Sequence, residues 1–255
     1  MDKKRIREFR KMIFTWWKTH RRDLPWRRTH DPYKILVSEV MLQQTTVRRV
    51  LLKYKEFLLK FPDIRSLQKA PVADVLRAWS GMGYNRRALY LKKAAALGNI
   101  PKTEKELLKL PGVGKYTARA ILIFAFKKDT AAVDTNIRQI ITHFFFKDTP
   151  QKEKIIQEVA DQLVPVGKSW EWHQALMDFG AIALKSRAKS RDPSKKSIPF
   201  KKTNRYFRGR IIDILRGGSI EETNILKNFS VGTLRGLIKD GLVERKNGKI
   251  QLPDG

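Results

Sequence analysis

LLKLPGVGKYTARAILIFAF, from Leu107 to Phe126, has the form helix, PGVG, helix. Pro111 breaks the first helix, because it brings no amide hydrogen to the ladder. Gly112 and Gly114 permit a turn so tight that the backbone itself is exposed. Successive amides of that turn, with the N-terminus of the next helix, point outward as an anion site. Lys115 adds a charge there. A bare GxG would be an ordinary helix–helix turn; the composition of the chain around it argues for more.

Lys and Arg total 54 of the 255 residues against 25 Asp and Glu, a formal net charge of +29. Folding does not need such an excess of one sign, and self-repulsion makes it unfavourable. A polyanionic partner offsets it, since each neutralised phosphate releases condensed counterions. Nucleic acid leads, with an anionic membrane surface behind it. No apolar run is long enough to span a bilayer. The N-terminal MDKKRIREFRKMIF is charged throughout and lacks a signal peptide's apolar centre, so a cytoplasmic protein is expected, nucleoid-associated in a prokaryote. The length suits one large domain or one with a small appendage. The chain has no Cys, which excludes disulfides, zinc–thiolate sites and cysteine-ligated iron–sulfur clusters. His20, His30, His143 and His173 show no metal-ligand spacing, so no metal site is expected.

Residues 1–185 read as helices joined by short loops, with apolar residues three and four apart in stretches such as Leu51 to Phe61 and Ile155 to Leu163. From Lys185 to Arg210 the pattern breaks: eleven Lys and Arg accompany one acid, Asp192, with two prolines and four serines. This predicts a basic linker over 186–202 that stays near a polyanion. Residues 203–255 then read as a small domain. A helix from Tyr206 to Leu215 ends at Gly217 and Gly218, where Gly relieves a left-handed cap. Ser219 is expected to cap a second helix running to Asn228. A third spans Val231 to Asp240, and Asn247-Gly248 sets a hairpin between two short strands. Three helices and a hairpin look like a winged helix-turn-helix, although Arg235 and Lys239 are the only obvious DNA contacts on its third helix. A helical cap on the main domain is the plainer alternative.

Two acids lie in apolar surroundings. Glu39 sits in KILVSEVMLQQTT, with Ile35 one turn before and Leu42 one turn after; desolvation there would raise its pKa and keep its proton near neutrality. Asp134 follows TAAV and precedes TNIRQII. Alone, Asp134 is a helix N-cap and Glu39 a partly buried residue paired with an arginine. Together they match the two tasks in cleaving an N-glycosidic bond: an acid protonates the leaving base, and a carboxylate steadies the oxocarbenium-like sugar.

From Leu24 to Ala181 the chain resembles MutY-type adenine DNA glycosylases of the helix-hairpin-helix (HhH-GPD) superfamily. LPWR (24–27), DPYKILVSEVMLQQT (31–45), GMGY (81–84), LPGVGKYTA (110–118), VDTN (133–136) and ALMDFGA (175–181) fall in family order. SEVMLQQT discriminates: endonuclease III and the G·T mismatch thymine glycosylases tend to carry basic residues where Gln43 and Gln44 stand. The resemblance implies an all-α, two-lobed fold over 1–185, its helix-hairpin-helix at about 104–125; the winged-helix-like α+β appendage read from the tail follows it. Glu39 then resembles the general acid and Asp134 the cation-stabilising carboxylate, supported by Asn136 and Tyr116. Gln44 and Tyr84 resemble residues that enter the stack as the base is flipped out. Gln43, Arg86, Gly112, Gly114, Lys115 and Thr117 are expected at DNA, and Trp26 and Arg27 near the base pocket, although Trp26 alone would read equally as a core tryptophan. Bifunctional relatives carry a Lys where Tyr116 stands, and a phenol forms no Schiff base, so base release without strand nicking is implied.

Four departures matter. Most members hold an iron–sulfur cluster on four cysteines after the motif seen here as ALMDFGA, where this chain has the basic segment. No cofactor is therefore expected, apart from room for a structural monovalent cation at the hairpin. Asn85 replaces a family tyrosine and Thr135 a glycine. The C-terminal domain that reads 8-oxoguanine is not recognisable. The implied partner is double-stranded DNA with a mismatch or damaged base, bound by a monomer. Excision of adenine opposite guanine or 8-oxoguanine ranks first. Excision of thymine or uracil opposite guanine ranks second, since it uses the same hairpin and aspartate and also accommodates a Tyr beside the hairpin. A non-catalytic DNA-binding regulator ranks last, because it gives Glu39 and Asp134 no reason to coexist with the hairpin.

Overall fold

A computed structural model describes residues 1–184 and 198–254; the expected linker therefore lies largely outside the described residues. Eleven α-helices precede residue 185: α1 (Lys3–His20), α2 (Pro32–Leu42), α3 (Val47–Lys60), α4 (Ile64–Lys69), α5 (Val72–Ala78), α6 (Arg86–Ala95), α7 (Glu104–Leu107), α8 (Lys115–Phe126), α9 (Thr135–Phe146), α10 (Glu153–Leu163) and α11 (Ser169–Ile182). The tail adds α12 (Asn204–Leu215), β1 (Ile220–Glu221), α13 (Glu222–Leu226), α14 (Val231–Lys239), β2 (Glu244–Lys246) and β3 (Lys249–Gln251).

The chain forms two compact units, with the boundary inside α2 after Glu39. The first gathers residues 1–39, 101–109 and 113 to the end of α11. Asp2 starts α1 by accepting the Lys4 amide at 3.0 Å, and Phe9, Ile13 and Trp17, four apart, place one apolar stripe on the core. That stripe packs with Ile137, Ile140 and Ile141 of α9 and Trp172, Leu176 and Phe179 of α11. Phe9 meets Trp172 edge-on, ring centroids 5.9 Å apart, a favoured aromatic geometry.

The second unit takes residues 40–100, 110–112 and the tail. Val50, Tyr54 and Phe57 of α3 turn inward, and Phe57 packs edge-on against Trp79 at 5.9 Å. The tail shares this unit: Arg216 Nε donates to the Leu76 carbonyl at 3.1 Å, and the Ala73 amide donates to the Pro253 carbonyl at 2.7 Å.

The order helix, strand, helix, helix, strand, strand in the tail is that of a winged helix. Its three-stranded antiparallel sheet runs β1–β3–β2. Asn247 and Gly248 adopt φ of 50° and 75°, the pair of positive angles a two-residue type I′ hairpin requires. One expectation is corrected: Ser219 caps nothing, because β1 intervenes and α13 starts after Glu221. Of the two glycines after α12, only Gly218 takes a positive φ, 140°.

Candidate active site and nucleic-acid interface

Glu39, Tyr116, Asp134 and Asn136 all belong to the first unit. Glu39, 7% exposed, lies on α2 beside the buried Ile35 and Leu36. Burial pushes its carboxyl up to about 7; a hydrogen bond with Tyr116 opposes the rise and the charge of Asp134 adds to it. Tyr116, second residue of α8, is held well above its ordinary value, first by burial and then by the two carboxyls. Its hydroxyl therefore stays neutral.

Asp134 is indeed the N-cap of α9. One oxygen accepts the Ile137 amide at 2.7 Å, and the other accepts Asn136 Nδ2 at 3.3 Å. Burial raises its pKa, opposed by these bonds. The cap function and the place beside Glu39 are compatible, because capping occupies one oxygen. Two residues hold this corner. The buried His173 accepts the Ala132 amide on Nε2 at 3.1 Å and faces the Ser169 carbonyl through Nδ1 at 2.7 Å. Burial lowers its pKa to about 4, so it is a neutral anchor for the segment leading to Asp134. Gly180 of α11 abuts Asn136: a Cβ there would lie 2.7 Å from the Asn136 Cβ.

Arg27, expected near the base pocket, is buried in an ion pair. Its guanidinium grips both oxygens of the buried Asp178 at 2.8 Å, and Trp17 Nε1 donates to the same carboxylate at 2.9 Å. LPWR and ALMDFGA are thus joined by a structural ion pair. Trp26 is 8% exposed, as a core tryptophan would be.

In the second unit, Gln44 and Tyr84 are exposed and both adopt left-handed backbone, φ 55° and 45°. Such a conformation is unfavourable for non-glycine residues and persists only where the surroundings enforce it. Arg87 enforces it. Its Nη1 donates to the carbonyls of Val40 at 2.9 Å and Met41 at 3.1 Å and also to that of Gln43. Its Nη2 donates to Thr45 Oγ1 and the Met82 carbonyl, each at 3.0 Å. Burial lowers its pKa to about 10, leaving it cationic. Gln43 Nε2 donates to the Gly112 carbonyl at 3.2 Å. Gly112 itself, at φ 74°, has Tyr90 Cδ2 only 2.6 Å from where a Cβ would stand.

Around the hairpin, Gly114 precedes α8 without a side-chain cap, and Lys115 is exposed as its first residue. Thr117, the third residue of α8, is 4% exposed. Arg86 is ion-paired with Asp240 of the tail, a carboxylate that it shares with Arg208. Sequence spacing assigns no structural role to Arg87, to Asp178 within ALMDFGA, or to His173 beyond its being no metal ligand. Arg87 was discoverable, because it shares its helical face with Leu91 and Ala94, both buried.

A carboxyl protonated near neutrality beside a second carboxylate equips a hydrolase of glycosidic bonds. The chain belongs to the HhH-GPD superfamily of base-excision DNA repair proteins, whose profile matches residues 37–165. It is 38% identical to the thymine/uracil-DNA glycosylase of Methanothermobacter thermautotrophicus, across 72% of this chain and 88% of that protein. It is 31% identical to the adenine DNA glycosylase of Mycobacterium tuberculosis, across 94% and 92%. A solved thermostable thymine-DNA glycosylase superposes with TM-score 0.67 at 36% identity, covering 73% of this chain and 90% of that one.

Proposed function

We propose that this protein is a monofunctional DNA glycosylase that removes adenine mispaired with guanine or 8-oxoguanine. The observation that carries the reading is Glu39, buried, poised at about 7 and beside Tyr116 and Asp134. In the proposed reaction the Glu39 proton passes to a ring nitrogen of adenine, and the C–N bond breaks with its electron pair leaving on the base. Asp134 stabilises the resulting sugar cation, and water adds to the anomeric carbon with loss of a proton. A purine gains much from that protonation, whereas thymine and uracil can depart as stabilised anions, so an acid at this position suits adenine. The adenine glycosylase relatives support the same choice. Gln44, Tyr84 and Lys115, with the backbone around Gly112 and Gly114, are proposed to contact DNA.

A second reading has a specific observation behind it: the thymine/uracil relative is 38% identical. Base release on duplexes holding A·8-oxoG, A·G, A·C, G·T and G·U, revealed by alkali, decides between them. Faster release of thymine from G·T than of adenine from both A·G and A·8-oxoG would overturn the adenine reading. Because Tyr116 offers no amine, the abasic product should remain unnicked and borohydride should trap nothing. Tyr116→Lys should gain measurable trapping; a trapped wild-type complex would refute monofunctionality.

A further inference from the structure

Within the second unit, a cavity of about 750 Å³ opens between the loop 81–84 and α12, a volume usual for small-ligand sites. Seven arginines line it, against one lining carboxylate, Asp213. Four of the seven are accounted for. Arg86 and Arg208 share Asp240, Arg216 pairs with Asp213, and Arg87 holds backbone carbonyls. Arg49, Arg205 and Arg210 are exposed and have no carboxylate partner among the described residues. Arg205 lies between two aromatic rings, its guanidinium carbon 4.7 Å from the Tyr84 centroid and 4.8 Å from that of Phe200. It also donates to the Tyr84 hydroxyl.

Unmatched guanidiniums bind phosphodiester oxygens, and exposed ring faces bind bases. Arg205 touches both rings, and Arg49 and Arg210 line the same cavity. We propose that this cavity binds one nucleotide of the DNA, distinct from the excised one, with its phosphate on Arg205, Arg210 and Arg49 and its base against Tyr84 and Phe200. The tail thereby supplies half of a nucleotide site, and Arg205 fixes the ring at which the base is received. The inference rests on the proposed DNA-repair reading, but its test needs no catalysis.

The full-length chain is titrated into a duplex carrying 2-aminopurine opposite a tetrahydrofuran abasic analogue, so that an unpaired fluorescent base is available and nothing is excised. Stacking on Tyr84 and Phe200 should quench its emission by about twofold or more. Phe200→Ala should abolish most of that quenching. Arg205→Ala with Arg210→Ala should weaken Kd about tenfold or more, while Lys154→Ala, an exposed charge in the first unit, should weaken it far less. Arg205→Lys should keep the salt dependence yet lose quenching, since an ammonium cannot lie flat between rings. Thermal melts confirm that each variant is folded. Equal effects of the cavity and Lys154 variants, or quenching indifferent to Phe200→Ala, would overturn the proposal. So would displacement of the duplex by dAMP at the same concentration as the DNA, which would make the ligand a free nucleotide. Absence of base release in the glycosylase assay, with quenching intact, would instead refute only the catalytic reading.

Discussion

At the scale of single residues, the carboxyl of Glu39 links activity and stability. The acid form must be present for base release, and its pKa of about 7 sets an alkaline limb there; the single-turnover rate should fall as pH rises through that value. Glu39→Gln should lower the rate by roughly 10² to 10⁴ while leaving DNA affinity nearly intact. A rate within about threefold of wild type would remove Glu39 from the mechanism. The same group makes a stability prediction of defined sign. Its folded pKa lies above the ordinary value of 4.5, so its contribution is fully present below 4.5 and is lost as pH rises through about 7. Relative to wild type, Glu39→Gln should therefore gain up to roughly 3 kcal/mol between pH 4.5 and 8. Urea melts of the two proteins at pH 5 and pH 8 test this, and the buried His173, common to both, cancels. Equal differences at the two pH values would contradict the burial of Glu39. Such residues were legible because apolar neighbours around an acid are visible in sequence. The Arg27–Asp178 pair was not legible for a physical reason: spacing gives a residue's neighbourhood, whereas the direction of its side chain depends on partners such as Asp178, 151 positions away.

At the scale of elements, two glycines serve two functions. Gly180 lets α11 approach Asn136, and Gly112 combines positive φ with contact against Tyr90. Gly180→Ala should push Asn136, and with it the cap on Asp134, costing about 10² in rate with little change in DNA affinity, as small misplacements of catalytic groups do. Gly112→Ala should distort the hairpin turn and chiefly weaken DNA binding, because its backbone angle is strained for any Cβ. Single-turnover rates and binding isotherms on the same duplex separate the two; a reversed pattern would mean that the hairpin and the α9–α11 contact have been given each other's roles. The PGVG turn was readable because proline and glycine act locally, although α7 ends at Leu107, ahead of Pro111. Strand β1 was not, since two residues carry no periodicity and Ile220 is extended only by pairing with Ile250.

At the scale of the whole molecule, the charge of +29 was the plainest sign of a polyanionic partner, yet it is silent on where the tail belongs. Composition suggested a linker and a separate small domain. The structure gives the tail a place in the fold of residues 40–100: Ile211, Ile212 and Leu215 of α12 are buried, and backbone groups of α5 find partners in Arg216 and Pro253. A basic appendage that merely raised affinity could be removed at the expense of binding alone. This one cannot, because its loss leaves the Ala73 amide and the Leu76 carbonyl without these partners and uncovers apolar surface. Deleting residues 198–255 should therefore lower Tm by about 10 °C or more, each kcal/mol being worth roughly 2–4 °C in a chain of this size. It should also flatten the dependence of log Kd on log salt, as fewer phosphates are neutralised. Calorimetry and salt titration of the truncated and full chains decide the matter. A Tm within about 2 °C of the full chain, with only the salt slope reduced, would show that the tail is an independent electrostatic module and that its contacts with α5 contribute little to the fold.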